Sequence, residues 1–207
     1  MIGLIGRKVG MTQVFGDTGE AIPVTVIEAG PCTVTEVRTA ERNGYSAVQL
    51  GFGTNLEKRF TRPALGQFKK RNLTPSSHLR EFRVEDVSGM EVGQSLTVTM
   101  FEKGKSVDVQ GITKGRGFAG VIKRHGFSAG HASHGPTMGR EPGSIGSSAY
   151  PSRVIKGKRL PGRMGGKPLT IKHLRVVGVD ADQNLLLLRG AVPGPVNGLV
   201  IIRRRED

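Results

Sequence analysis

Ile22-Pro23-Val24-Thr25-Val26-Ile27-Glu28, a break at Ala29-Gly30-Pro31, then Cys32-Thr33-Val34-Thr35-Glu36-Val37-Arg38: these seventeen residues decide the fold class. β-branched side chains crowd a helix but suit a pleated surface, so the two runs read as strands joined by a Gly-Pro turn. The same pattern repeats outward. Tyr45-Ser46-Ala47-Val48-Gln49-Leu50-Gly51-Phe52 alternates, and Asn43-Gly44 before it reads as a hairpin turn. Ser95-Leu96-Thr97-Val98-Thr99 and Val107-Asp108-Val109-Gln110-Gly111-Ile112 are two further runs. Leu174 to Val179 and Asn184 to Leu188 flank an acidic turn, and Leu199 to Ile202 closes the set. One helix is expected over Pro63 to Arg71, with proline early and Lys69-Lys70-Arg71 at its C-terminal end. Short strands with frequent Gly and Pro predict a mainly β domain, a small barrel or sandwich.

The pattern fails from Gly111 to Thr170. Those sixty residues hold 14 glycines and 11 Lys/Arg but one acid, Glu141, so they carry +10 of the chain's formal +14. So few large apolar residues cannot offset the entropy of ordering the segment. An external polyanion is expected to order it, and nucleic acid fits best. The remaining residues, about 147, carry 20 Lys/Arg against 16 Asp/Glu. That is an ordinary domain, large enough for one core, bearing a cationic insertion.

Bulk features exclude other classes. The single cysteine, Cys32, cannot form an internal disulfide, which fits a reducing compartment, and at a strand start it reads as a packing residue. No run of 18 apolar residues exists. The start, Met1-Ile2-Gly3-Leu4-Ile5-Gly6-Arg7-Lys8, places charge after the apolar residues, the reverse of a secretory signal. A soluble cytoplasmic protein is expected.

Several stretches in and around the basic segment look like nucleotide, calcium or zinc motifs. Gly115-Arg116-Gly117-Phe118-Ala119-Gly120 matches GxGxxG after a strand-like run, and a nucleotide-dependent enzyme is the rival reading. A dinucleotide site also needs a helix opening at those glycines within a βαβ unit, yet Gly126, Gly130 and Gly135 follow closely. Gly104-Lys105-Ser106 resembles a phosphate-loop end, but Thr99 stands where its first glycine belongs. Asp180-Ala181-Asp182-Gln183-Asn184 has Leu185 where a calcium loop needs glycine. His125, His131 and His134 lack the cysteine partners of a zinc site and suit phosphate or base contacts better. Glu141 is the segment's lone carboxylate, so no Ser-His-acid arrangement is suggested. A DNA-binding β-domain with a cationic arm is a second rival.

Several stretches together carry a resemblance. Phe101, Asp108, Gly111, Thr113, Gly115-Arg116-Gly117, Gly120 and Arg124, in that spacing, resemble the signature of the ribosomal protein L-three family of the large subunit. Gly3 to Thr12 resembles the bacterial N-terminus of that family. So do His131-Ala-Ser-His134-Gly135, Arg140-Glu-Pro142-Gly143-Ser144-Ile145-Gly146, Lys156 to Gly165 and Asn184 to Gly194. The resemblance covers essentially the whole chain.

It implies a six-stranded β-barrel of the translation-factor kind, residues 1–110 with 168–207. A long, mostly irregular extension, residues 111–167, would be inserted in it, with one or two short helices overall. It further implies a non-enzymatic constituent of the large subunit that binds large-subunit rRNA and nucleates early assembly. Neighbouring large-subunit proteins would be partners, and no cofactor, metal, membrane or small-molecule substrate is expected. The residues expected to meet RNA are Lys114, Arg116, Lys123, Arg124, His125, His131, His134, Arg140, Arg153, Lys156, Lys158, Arg159, Arg163 and Lys167. The tip, expected near the peptidyl-transferase centre, centres on Gly143, Ser144, Ile145, Gly146, Ser147 and Ser148. Many bacterial members carry a methylated glutamine where this chain has Ser147, so that modification is impossible here.

Overall fold

The computed structural model describes residues 3–205; Met1 and Ile2 of the N-terminal stretch, and the last two residues, lie outside the described residues. Twelve strands follow in chain order: β1 (Gly3–Phe15), β2 (Ala21–Ala29), β3 (Cys32–Arg38), β4 (Ala47–Thr54), β5 (Ser76–Arg83), β6 (Ser95–Leu96), β7 (Ser106–Ile112), β8 (Phe118–Ala119), β9 (Gly162–Arg163), β10 (Pro168–Asp180), β11 (Leu185–Arg189) and β12 (Leu199–Arg204). Three short α-helices join them: α1 (Ala40–Asn43), α2 (Arg62–Lys69) and α3 (Val121–His125). None is long and apolar enough to cross a membrane.

Six strands close an antiparallel barrel in the order β1-β12-β7-β10-β11-β2. Two long strands make closure possible. β1 pairs with β12 through Gly3 to Arg7 and with β2 through Gly6 to Phe15, with a register shift between Lys8 and Gly10. β10 pairs with β7 through Pro168 to Arg175 and with β11 beyond Val176; its register shifts at Ile171/Leu174 and Val176/Gly178. Such bulges add curvature where a strand exchanges one neighbour for another. Glycine admits close approach in β1: a Cβ on Gly3 would lie 2.1 Å from the Ile202 carbonyl oxygen, and one on Gly6 2.6 Å from that of Glu28.

The Gly30-Pro31 turn does separate β2 from β3, but the two strands do not pair. The turn carries the chain out of the barrel into a second antiparallel sheet, ordered β5-β4-β3-β6. Asn43-Gly44 is likewise no two-residue hairpin turn: Asn43 ends α1, and Gly44, at φ 78°, is its left-handed cap. The run Ser95–Thr99 is a strand only over Ser95–Leu96, and Val98–Met100 turns as a 3-10 helix. The helix expected at Pro63–Arg71 forms as α2, where Phe68 is buried edge-on against Phe60, with ring centroids 5.9 Å apart.

One apolar core serves both sheets. Leu4 and Ile5, successive residues whose side chains point to opposite faces, are both fully buried, so β1 is covered on both sides. Ile27, Leu186, Leu188 and Ile202 from the barrel join Val34, Leu50, Phe52 and Phe82 from the second sheet. Cys32 sits in this core, and its thiol donates to the Ile5 carbonyl at 3.3 Å. Burial pushes that thiol up to about 11 from 9.0. Lys8 is only 8% exposed, and its ammonium donates to the Val192 carbonyl at 2.9 Å, fixing the loop before β12.

Backbone contacts divide the chain into two units. One runs to Ile112 and resumes at Pro168, and the other is Thr113–Lys167. The breaks fall just beyond the register pair Ile112↔Pro168 of β7 and β10.

Candidate nucleic-acid interface

The Thr113–Lys167 unit is built on a narrow antiparallel stem. The Thr113 amide donates to the Lys167 carbonyl at 3.0 Å, and that of Gly166 to Thr113 at 3.1 Å. Arg116 N–H donates to Met164 and Met164 N–H to Gly117, each at 2.9 Å. Above them, Phe118 and Ala119 of β8 pair with Arg163 and Gly162 of β9. Gly165 is required here: at φ 73°, a Cβ on it would lie 2.1 Å from the Lys114 carbonyl oxygen.

Helix α3 opens directly after Gly120 and ends after five residues on the left-handed Gly126. The look-alike GxGxxG stretch therefore meets neither a long helix nor a parallel strand, since β8 pairs antiparallel with β9. Arg124 and His125 both turn onto the Leu160 carbonyl, with Arg124 Nη1 donating at 2.5 Å and His125 Nε2 at 3.1 Å. A Cβ on Gly162 would come within 2.7 Å of Arg124 Nη1, so the guanidinium lies flat against that glycine. These two expected RNA ligands thus also hold the segment together, a role no sequence signal carried because it depends on a backbone carbonyl 35 residues away.

Beyond the stem little holds the backbone to itself. From residue 128 to 159 it makes two backbone hydrogen bonds, Gly130 to Gly139 at 3.1 Å and Lys158 to Ile155 at 3.3 Å. At the tip the Ser144 hydroxyl donates to Gly146 at 3.3 Å, and Ser152 donates to Ala149 at 2.5 Å. Gly143 to Ser148 are all exposed.

The charges lie open. Lys114, Arg116, Lys123, Arg140, Arg153, Lys156, Lys158, Arg159, Arg163 and Lys167 are exposed, and so are His131 and His134. No ion pair among the described residues involves any of these cations. That contrasts with the second sheet, where Arg38 pairs with Glu81 at 3.0 Å and Arg71 with Glu36 at 2.8 Å. His131 and His134 join no cluster of three metal-ligating side chains among the described residues. Apolar side chains in the unit are exposed as well, with Phe118 at 81% and Tyr150 at 88%. Their rings are open to a stacking partner, whereas Phe127 leans on His125, centroids 6.0 Å apart.

Comparison with known proteins bears on the same segment. The family model described as Ribosomal protein L3 matches residues 81–184, a span that includes the whole extension. The chain belongs to the ribosomal protein L3 family. Its full length agrees with that family's curated members, not the extension alone. It is 55% identical to the large ribosomal subunit protein uL3 of Pelotomaculum thermopropionicum over 98% of this chain and 96% of that one. To the protein of the same name from Brachyspira pilosicoli it is 52% identical over 98% and 93%. That from Picosynechococcus sp. is 52% identical over 97% and 95%. Membership in this ribosomal protein L3 family makes the chain a structural ribosomal component and not an enzyme.

Proposed function

We propose that the chain binds large-subunit rRNA directly, through the extension 111–167, as a constituent of the cytoplasmic large ribosomal subunit. The observation that carries this reading is the set of ten exposed extension cations, none in an ion pair among the described residues. Held side by side with one acid among them, these charges repel, and converging RNA phosphates neutralise them. Glycine lets the backbone come close enough for its amides to join. The stem closes the extension at its base. The sparsely bonded 128–159 stretch adapts to the RNA and meets its ordering cost only on binding. The tip, Gly143 to Ser148, small and uncharged, then reaches toward the peptidyl-transferase centre, with the basic arms Lys114–Arg140 and Lys156–Lys167 on either side. Early assembly follows from the same property, since a protein that draws distant phosphates together lowers the cost of folding the RNA. Neighbouring large-subunit proteins are its other partners.

The test has two arms. Tagged full-length chain in a cell lysate should sediment with large subunits and stay there at high salt. The purified chain should bind a transcript of the 3′ part of large-subunit rRNA more tightly than duplex DNA of equal length at equal salt. Equal affinity for the duplex would favour the DNA-binding alternative, and loss of co-sedimentation at high salt would remove the ribosomal placement.

A further inference from the structure

A second cationic feature lies on the barrel wall, where a β-bulge in β10 meets the C-terminal strand. Between Ile171↔Val109 and Leu174↔Val107, Lys172 and His173 together stand opposite one residue of β7, Asp108. Asp108 is also the register partner of Arg203 on β12. Val107, Val109 and Ile202 are buried, so alternation turns Asp108 and Arg203 outward, onto the face that carries the bulge. His173 adopts φ 58°, a left-handed conformation rare for a side chain with a Cβ, and its amide donates to the Asp108 carboxylate at 3.0 Å. Bulges and such outliers gather where a strand must re-aim a side chain.

The side chain re-aimed here is an imidazole, and a guanidinium meets it. Arg205 Nη1 lies 2.7 Å from His173 Nε2. Guanidinium has only donors, so Nε2 holds the lone pair and the ring proton sits on Nδ1, with no partner among the described residues. Asp108 is engaged by the bulge backbone. The side chains of Lys172 and Arg203 are exposed and make no hydrogen bond or ion pair among the described residues. Arg203 also lines a cavity of about 360 Å³ with Tyr45, Glu81, Phe82 and Arg83.

We propose that Lys172, His173, Arg203 and Arg205 form a second RNA-backbone site on the barrel itself, taking phosphates independently of the extension. The proposal rests on the rRNA-binding reading above and adds a contact face to it. Interfaces with protein have an apolar centre from which charge is depleted. This face has the reverse composition: four basic side chains surround one acid, Asp108, whose carboxylate accepts from the bulge amide, and that suits a line of phosphates.

The experiment uses the full-length chain and the rRNA transcript. Lys172→Gln and Arg203→Gln remove side chains with no partner in the fold, so both variants should melt with the parent. Each should flatten the dependence of log affinity on log salt by about 0.7–0.9. His173→Gly keeps the left-handed bulge while deleting the ring, and should weaken RNA binding without lowering the melting point. For a direct reading, Thr170→Cys carries tethered Fe(II)-EDTA; the buried Cys32 does not compete for the label. Cleavage of the rRNA from position 170, and none from a Ser88→Cys control, is expected.

Unchanged slopes in Lys172→Gln and Arg203→Gln, with a flatter slope in Lys158→Ala, would overturn the barrel site and leave the extension reading intact. Unchanged slopes in all three would overturn both. If the barrel substitutions instead weaken association with neighbouring large-subunit proteins at an unchanged RNA slope, an acidic protein surface is the occupant and the RNA assignment falls.

Discussion

Replacing Lys156, Lys158, Arg159 and Arg163 with alanine removes four exposed cations from one arm of the extension, none in an ion pair among the described residues. The fold should not register the loss, because these side chains contribute no hydrogen bond to the stem. RNA binding should register it in a calculable way. Each phosphate neutralised contributes about 0.7–0.9 to the slope of log affinity against log salt. If the ten exposed extension cations each meet one phosphate, they contribute about −7 to −9 to the parent slope, a share worth roughly 10⁴–10⁵ in affinity between 50 and 200 mM salt. In the quadruple variant, with six extension contacts left, that share should fall to about −4 to −5, worth only about 10³ over the same range. Fluorescence anisotropy of labelled rRNA transcript across that salt series measures both lines. A variant that binds more weakly at every salt concentration but keeps the parent slope would refute the reasoning, since its cations would then act on the protein's conformation and not on phosphate.

Gly165→Ala tests the stem. A left-handed alanine costs about 1 kcal/mol or more, and its Cβ would overlap the Lys114 carbonyl, so the stem must open. Faster amide exchange at Arg116, Met164 and Gly166 with an unchanged barrel melting point is expected; protected stem amides would contradict it. In the free protein, amides from 128 to 159 should exchange orders of magnitude faster than those of β7 or β12, given the two backbone bonds there. Slow exchange without RNA would remove the claim that binding orders this stretch. Cys32 makes a pH prediction. Its folded-state value, about 11, lies above the ordinary 9.0, so the protonated thiol favours the native state fully below pH 9, and that contribution fades as pH rises toward 11. Relative to Cys32→Ala, the parent should lose roughly 2–3 kcal/mol of stability between pH 8 and pH 12 in urea unfolding. Parallel loss in both proteins would place the thiol in water.

Much of this was legible in the chain because it depends on local pattern. Strands rich in Val, Ile and Leu, such as β2, β7, β11 and β12, announce themselves by short apolar or β-branched runs with Gly or Pro nearby. The extension announces itself by composition, since charge without counter-charge cannot be hidden inside a small core. Other elements were illegible for a common reason. β1 carries glycine at positions 3, 6 and 10, which lowers any strand propensity, and Gly3 and Gly6 are there because a neighbouring backbone passes close by. β5, Ser-Ser-His-Leu-Arg-Glu-Phe-Arg, is polar except for the half-buried Leu79 and the buried Phe82, so only pairing with β4 makes it a strand.

Local pattern and composition are enough to give the class of molecule: a β-domain interrupted by a cationic, glycine-rich excursion. Hydrophobic period and net charge are properties of neighbours along the chain, and they survive without a fold. Only the tertiary structure decided that Gly30-Pro31 leaves the barrel for a second sheet. It alone decided that Arg124 and His125 spend hydrogen bonds on Leu160. The same holds for the β10 bulge, which brings His173 to Arg205 across 32 positions of chain. Those outcomes depend on register, and register is set by which distant strands can bury the same core.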